Sequence, residues 1–337
     1  MKTGAGHISF IPFEKLNGIV DTINSKARLF RASQKVIEER EDNVTMDEFE
    51  VVRKLGEGQF GQVFLVKSTG TGGGLYAVKC LSKKAVINDE MEQSVVEEKR
   101  VLEKAIFPFV VGFVKAFHDE TNIFLLMEYL RGKEMFDVIR EMPTLSKPIA
   151  RYYFGCILLS IEYLHANNII YRDVKPENSV IDHRGKAYLI DLGTAKELSN
   201  KNLFKTFTII GTPHYMAPEV FEGKGYSFEA DFWSLGVLLY EFVCGKLPFG
   251  ENILNDPYRL YKLINKARVD YPKFVHDPQA KSLIGFILTR DPKLRSEQVT
   301  FEKIKRHEYF EGFRWDDLLE EKMLPPYIPR DFRSGEP

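Results

Sequence analysis

At 337 residues the chain is long enough for two domains, or two lobes of one unit, around a sizeable core. With 44% hydrophobic and 28% charged residues it reads as globular, and no stretch approaches the roughly 20 apolar residues that span a bilayer, so no transmembrane segment is expected. A formal charge of −1 argues against nucleic-acid binding through massed Lys and Arg contacts, which leaves recognition to local charge.

Cys80, Cys156 and Cys244 are widely spaced among apolar neighbours and suggest neither a disulfide framework nor a CxxC metal site. Lys2 stands where N-myristoylation needs glycine, and no charged-then-apolar leader is apparent. A reducing, cytoplasmic setting is expected.

Over residues 13–41 apolar side chains recur at helical spacing (Leu16, Ile19, Val20, Ile23, Ala27, Leu29 or Phe30, Ile37) without a proline, predicting an amphipathic extension across residues 1–48. Acidic Glu38, Glu39, Glu41 and Asp42 break up any basic face, so a helix docking on the main body is favoured over a membrane or calmodulin-type role.

From Phe49 the period changes to two through Val51, Leu55, Val63 and Leu65. It resumes after the turn cluster at residues 68–74 with Tyr76, Val78 and Cys80, which predicts antiparallel strands. A helix follows over residues 90–103, then strands over 110–117 and 123–129; beyond Gly132 the pattern is mostly helical. The expected class is α+β: a small antiparallel sheet with one main helix over residues 49–130 and a larger helical lobe over 131–312. Residues 313–337 form a tail, its Pro325-Pro326-Tyr327-Ile328-Pro329 run extended on the surface.

Gly56-Glu57-Gly58-Gln59-Phe60-Gly61 is a G-x-G-x-x-G run, whose glycines let backbone N–H groups approach phosphate oxygens. A dinucleotide-binding oxidoreductase needs a helix directly after the third glycine, whereas Gln62-Val63-Phe64-Leu65-Val66 continues as strand. Next come Tyr76-Ala77-Val78-Lys79, a strand lysine suited to phosphate, and Glu98 on the following predicted helix, suited to pair with it. Singly, such charges are ordinarily just solvated surface groups.

The most specific signal is Tyr171-Arg172-Asp173-Val174-Lys175-Pro176-Glu177-Asn178, followed by Asp191-Leu192-Gly193 and Ala217-Pro218-Glu219. Asp173 suits a base that orients and deprotonates a hydroxyl, and Lys175 suits charge on a phosphoryl group in transit. Asn178 and Asp191 offer the oxygen ligands a hard Mg²⁺ ion prefers.

Together these motifs, with Gly211-Thr212-Pro213-His214-Tyr215-Met216, resemble the AGC group of Ser/Thr protein kinases from Phe49 to about Pro329. Tyr171 at the head of its motif and the Pro325 to Pro329 tail share in that likeness; Phe310-Glu311-Gly312-Phe313-Arg314-Trp315 with the Pro-Pro segment after it, and the His214-Tyr215-Met216 variant of protist members, resemble the cGMP-dependent branch, and the cAMP-dependent catalytic subunit is the next resemblance.

The resemblance implies the bilobal kinase fold, ATP and Mg²⁺. It places adenine between Leu55, Val63 and Ala77 above and Val180 below, with Met127 as gatekeeper and Glu128 to Leu130 offering backbone hydrogen bonds. Gly56, Gly58 and Gly61 cover the phosphates, and Leu102, Phe113, Tyr171 and Leu192 form a stacked apolar spine. It also implies phosphorylation of Thr208, with Arg172 and Lys196 as partners of the phosphate. Glu134, beside the nucleotide, joins Glu177 and Glu241 in receiving arginines that precede the phosphoacceptor, and Ile209, Pro213 and Met216 accept the residue after it. Glu177 and Glu241 have a structural alternative as members of ion pairs, and Glu219 with Arg295 is expected to be a structural pair.

Three features depart from the family pattern: Leu192 in place of Phe, Ser179 after Asn178, and an end at Pro337 before the usual aromatic and hydrophobic tail motifs. No cyclic-nucleotide-binding segment is evident, so such regulation would come from a separate subunit or from outside this chain. A pseudokinase scaffold is the competing class, but Lys79, Glu98, Asp173, Lys175, Asn178 and Asp191 are all present.

Overall fold

The computed structural model describes residues 44–329, apart from 59–60, 71–72, 143, 200–202, 254 and 267. The amphipathic extension expected over residues 13–41 and the end of the tail from residue 330 lie outside the described residues.

After a short 3-10 turn at Met46–Glu48, β1 (Phe49–Gly58) and β2 (Gly61–Ser68) form a hairpin in which Gly58 faces Gly61. The glycine run is therefore the tip of a hairpin and opens no helix. β3 (Leu75–Ser82) pairs with β2, and α1 (Lys83–Asn88) and α2 (Glu92–Lys104) precede β4 (Phe113–His118) and β5 (Asn122–Glu128). The antiparallel sheet runs β1-β2-β3-β5-β4.

Alternation along these strands sorts the side chains. Val66, Val78, Phe124 and Leu126 bury on one face under Phe49, Phe64 and Phe117. Ala77 and Lys79, one residue out of phase with Val78, therefore point to the other face, where Ala77 is paired with Met127 and Lys79 with Leu125. On α2 the buried residues are Val95, Glu98, Val101 and Leu102, a stripe spaced by three and four that aims Glu98 inward.

The larger lobe opens with β6 (Gly132–Glu134), α3 (Met135–Glu141) and α4 (Lys147–Ala166). It continues through β7 (Ile169–Ile170), β8 (Ser179–Asp182), β9 (Ala187–Leu189) and β10 (Lys196–Glu197). The helices after it are α5 (Pro218–Glu222), α6 (Glu229–Cys244), α7 (Pro257–Lys266) and α8 (Pro278–Ile287), then α9 (Pro292–Gln298), α10 (Phe301–Arg306) and α11 (Trp315–Leu319). α6 is buried almost all round, as a helix apolar on every face must be. Asp277 and Asp291 cap α8 and α9 by accepting from two backbone N–H groups each.

Some boundaries differ from the sequence reading. The helix expected over 90–103 starts at Glu92, because Glu90 turns left-handed (φ 54°) after the short α1. The strand expected from 110 starts at Phe113, and Val110 instead makes an isolated parallel bridge to Leu189 in the other lobe. The part read as mostly helical also holds a β6-β8-β9 sheet and a β10-β7 pair, whose strands are too short to show a period.

The tail turns back over α4. Phe313 meets Phe310 and Trp315 edge to face, Tyr153 Oη donates to the Tyr327 carbonyl at 2.8 Å, and Lys186 pairs with Glu321 at 3.0 Å. Among the described residues no helix is long and apolar enough to cross a membrane, and all three cysteines are free thiols.

Candidate active site

A cleft of about 1020 Å³ lies between the sheet and the helical lobe. Leu55, Gly56, Val63, Ala77, Met127 and Glu128 line it from the sheet, Leu130 from the connection, and Val180 from the helical lobe. Lys79, Glu98, Glu134, Asp173, Lys175, Glu177, Asn178 and Asp191 also line it, so groups distant in sequence share one cavity. Gly61 sits at the hairpin tip beyond the lining; Arg172, Lys196, Thr208 and Glu241 also lie outside it.

The Lys79 ammonium donates to Glu98 Oε1 at 2.5 Å and lies 3.8 Å from Asp191 Oδ1. Lys79 is 6% exposed and Glu98 4%, so the pair is removed from solvent screening. Burial opposes the charge on Lys79, but the carboxylates of Glu98 and Asp191 outweigh it and hold its pKa above the ordinary lysine value. Asp191 Oδ1 also accepts from Gly193 N at 2.9 Å. A Cβ at Gly193 would stand 3.0 Å from both Asp191 Oδ1 and Lys79 Nζ, so glycine keeps this corner open.

Asp173 is held on both oxygens. Oδ1 accepts from the backbone N–H and the hydroxyl of Thr212, each at 2.8 Å; Oδ2 accepts from Asn178 Nδ2 and Lys175 Nζ, each at 2.9 Å. Lys175 also donates to Thr212 Oγ1 at 2.7 Å. Thr212 thus belongs to the site, although the sequence reading gave it no role; its signal was its place in the Gly-Thr-Pro run.

A second residue missed in the sequence is Asp231, fully buried on α6. It accepts from the backbone N–H groups of Tyr171 and Arg172, each at 2.8 Å, and from His165 Nε2 at 2.7 Å. Arg172 adopts φ 74°, a strained value for a residue with a side chain, and Asp231 anchors the backbone there. An acid inside the apolar run Ala230-Asp231-Phe232-Trp233 was the available clue.

Glu134 and Glu177 line the cleft, and Glu177 Oε2 is a buried oxygen without a hydrogen-bond partner. Glu241, outside the lining, accepts from Tyr215 Oη. Burial pushes its pKa up to about 7, with the Tyr215 hydrogen bond opposing and the charge of Glu177 reinforcing the rise. In the apolar set, Met216 is buried and Ile209 is exposed.

Thr208 is exposed, and its carbonyl accepts from Tyr226 Oη at 2.7 Å. Arg172 Nε donates to the Thr194 carbonyl at 2.5 Å, and Lys196 lies on β10 paired with Ile170. Of the expected spine, Leu102 and Leu192 reach the cleft, Tyr171 is fully buried and Phe113 is half-buried at the start of β4. Arg295 and Glu219 form a buried ion pair.

The donor set suits a hard divalent cation. Asn178 spends its amide N–H groups on the carbonyl and carboxylate of Asp173, leaving its side-chain carbonyl as acceptor, and the Asp191 carboxylate is 44% exposed to the cleft.

A protein kinase domain model matches residues 49–310. The chain is 39% identical over 293 residues to a cGMP-dependent protein kinase of Toxoplasma gondii, covering 86% of this chain and 29% of that one. It is 34% identical over 325 residues to a cAMP-dependent protein kinase catalytic subunit of Arthrobotrys oligospora, covering 94% and 61%. It is 37% identical over 290 residues to the human RAC-beta serine/threonine-protein kinase, covering 85% and 59%. The chain therefore spans less than two thirds of each of these relatives. By these matches, on a chain whose lobes enclose such a cleft, it belongs to the protein kinase family, among the serine/threonine kinases of AGC type.

Proposed function

We propose that this chain is an active protein kinase. It transfers the γ-phosphoryl group of ATP to serine or threonine hydroxyls preceded by arginine or lysine, as the catalytic part of a cGMP-dependent enzyme acting in the cytoplasm. The observation that carries this reading is the meeting of Asp173, Lys175, Asn178, Asp191 and the Lys79–Glu98 pair in one cleft.

Lys79, fixed by Glu98, would hold the α- and β-phosphates, and Asn178 and Asp191 would hold Mg²⁺. Bound magnesium supplies charge neutralisation on the triphosphate. With all four hydrogen bonds on Asp173 in place, a substrate hydroxyl must displace one. In this reading Lys175 is the partner that yields: turning toward the γ-phosphate would free Oδ2 to accept the hydroxyl. The substrate oxygen then bonds to phosphorus as the bond to the ADP oxygen breaks, and its proton passes to Asp173.

Glu134 and Glu177 at the cleft, with Glu241 near enough to feel the Glu177 charge, favour a basic peptide; the orphan Glu177 oxygen is a ready acceptor for guanidinium. A phosphate on exposed Thr208 would bring about −1.5 to −2 charge near Arg172. The likeness to the cAMP-dependent subunit, over 94% of this chain, supports that branch as the second reading.

The test compares Mg-ATP turnover of the native chain with Asp191→Ala on peptides with and without arginine before the acceptor. Absence of turnover in the native chain would favour the scaffold reading, and indifference to arginine would remove the basic-substrate proposal. Adding cGMP or cAMP with co-purified proteins decides the branch, and phosphosite mapping with Thr208→Ala kinetics decides the role of Thr208.

A further inference from the structure

Residues 204–209, which carry Thr208, lie along the turn between α5 and α6 through successive contacts. Ser227 Oγ donates to the Phe204 carbonyl at 2.7 Å, and Thr206 and Tyr226 exchange two backbone hydrogen bonds at 2.9 Å. The Phe207 ring covers Gly225, where φ is +98° and a Cβ would come within 2.7 Å of the ring. Tyr226 Oη donates to the Thr208 carbonyl at 2.7 Å, and Ile209 lies over Gly223.

Tyr226 is 1% exposed, so its hydroxyl has little water to fall back on if that carbonyl moves away. Its neighbour is Arg172, whose guanidinium is close enough to offset part of the rise that burial imposes on the phenol pKa. Arg172 directly precedes Asp173, and its backbone is anchored by Asp231. One phenol thus holds the segment bearing Thr208 while lying near the Arg172 guanidinium, next in sequence to Asp173.

We propose that Tyr226 is a positioning residue: its hydroxyl latches the Thr208 carbonyl beside Arg172, building into the fold part of the order that a phosphate on Thr208 would add. The latch rests on the kinase reading for its effect on turnover. It uses the carbonyl of Thr208 and leaves the Thr208 hydroxyl free for modification. Segment order and modification are therefore separable.

The experiment uses the full chain, phosphatase-treated, as native, Tyr226→Phe and Thr208→Ala proteins, read by hydrogen exchange and steady-state kinetics. Tyr226→Phe is expected to speed exchange about 10-fold at residues 206–209 only, and to lower kcat by a similar factor, with the ATP KM within twofold of native. Thr208→Ala is expected to keep native exchange there. Native exchange and kcat in Tyr226→Phe would overturn the latch, as would faster exchange throughout the helical lobe or equal loss of protection in Thr208→Ala. A native chain without turnover would sink the kinase reading while the exchange result still judged the latch.

Discussion

Asp173 and Thr212 are joined twice, since the backbone N–H and the hydroxyl of Thr212 both reach Asp173 Oδ1 at 2.8 Å. That hydroxyl also accepts from Lys175 at 2.7 Å, so it ties together the proposed base and the proposed phosphate-binding lysine. Thr212→Val keeps the backbone bond and the side-chain shape but removes the bridge. It should lower kcat about 10- to 100-fold with little change in ATP KM, whereas Thr212→Ser should stay within a few-fold of native. Steady-state peptide kinetics would show it; a fully active valine variant would reduce Thr212 to packing.

Lys79 and Glu98 test whether a buried pair serves stability or chemistry. Lys79→Met leaves the Glu98 carboxylate buried without its partner and should cost about 3 kcal/mol in thermal or denaturant unfolding. Adding Glu98→Leu should recover most of that loss, since two apolar groups replace the pair. Turnover should stay more than about 100-fold down in both proteins, because no cation then faces the phosphates. Recovery of activity together with stability would refute the phosphate role.

Asp231 is the anchor of the loop before Asp173. Asp231→Ala orphans the buried N–H of Tyr171, the part-buried N–H of Arg172, and His165, which sits among Phe228, Phe232 and Phe301. The expected loss is about 3 kcal/mol, or roughly 10 °C in Tm, with turnover falling further than the folded fraction alone explains. Calorimetry and activity at low temperature separate the two effects.

Glu241 should make peptide recognition depend on pH. Its pKa near 7 arises first from burial, with Tyr215 and Arg140 opposing and Glu177 and Glu251 reinforcing the rise. The carboxyl therefore gains its charge as pH climbs through about 7, and KM for an arginine-containing peptide should fall between pH 6 and 8. Glu241→Gln should flatten that fall. For folding the sign is opposite: the native state keeps a proton that the unfolded chain has lost above its carboxylate pKa of about 4.5. Stability from this group is thus present at low pH and lost as pH rises to about 7. Parallel KM profiles in the two proteins would place Glu241 outside recognition.

The lysine strand, the glycine hairpin and the Asp173 and Asp191 motifs were readable because each depends on short-range order: alternation, turn chemistry and fixed spacing. The short β6 to β10 strands and the break at Glu90 were not, since two to four residues carry no period and a left-handed residue leaves no compositional mark.

Residue order alone names the groups able to do the chemistry, because side-chain type sets charge, ligand preference and proton affinity. The fold decides which of them meet. Asp231 becomes an anchor only because α6 buries it beneath the loop of Tyr171 and Arg172, and Thr212 joins Asp173 only because the segment after Ile210 folds back over the cleft floor. Tyr226 gains its position from a turn that no local pattern connects to Thr208. Those pairings are long-range, and hydrogen bonding between distant segments leaves no trace in spacing along the chain.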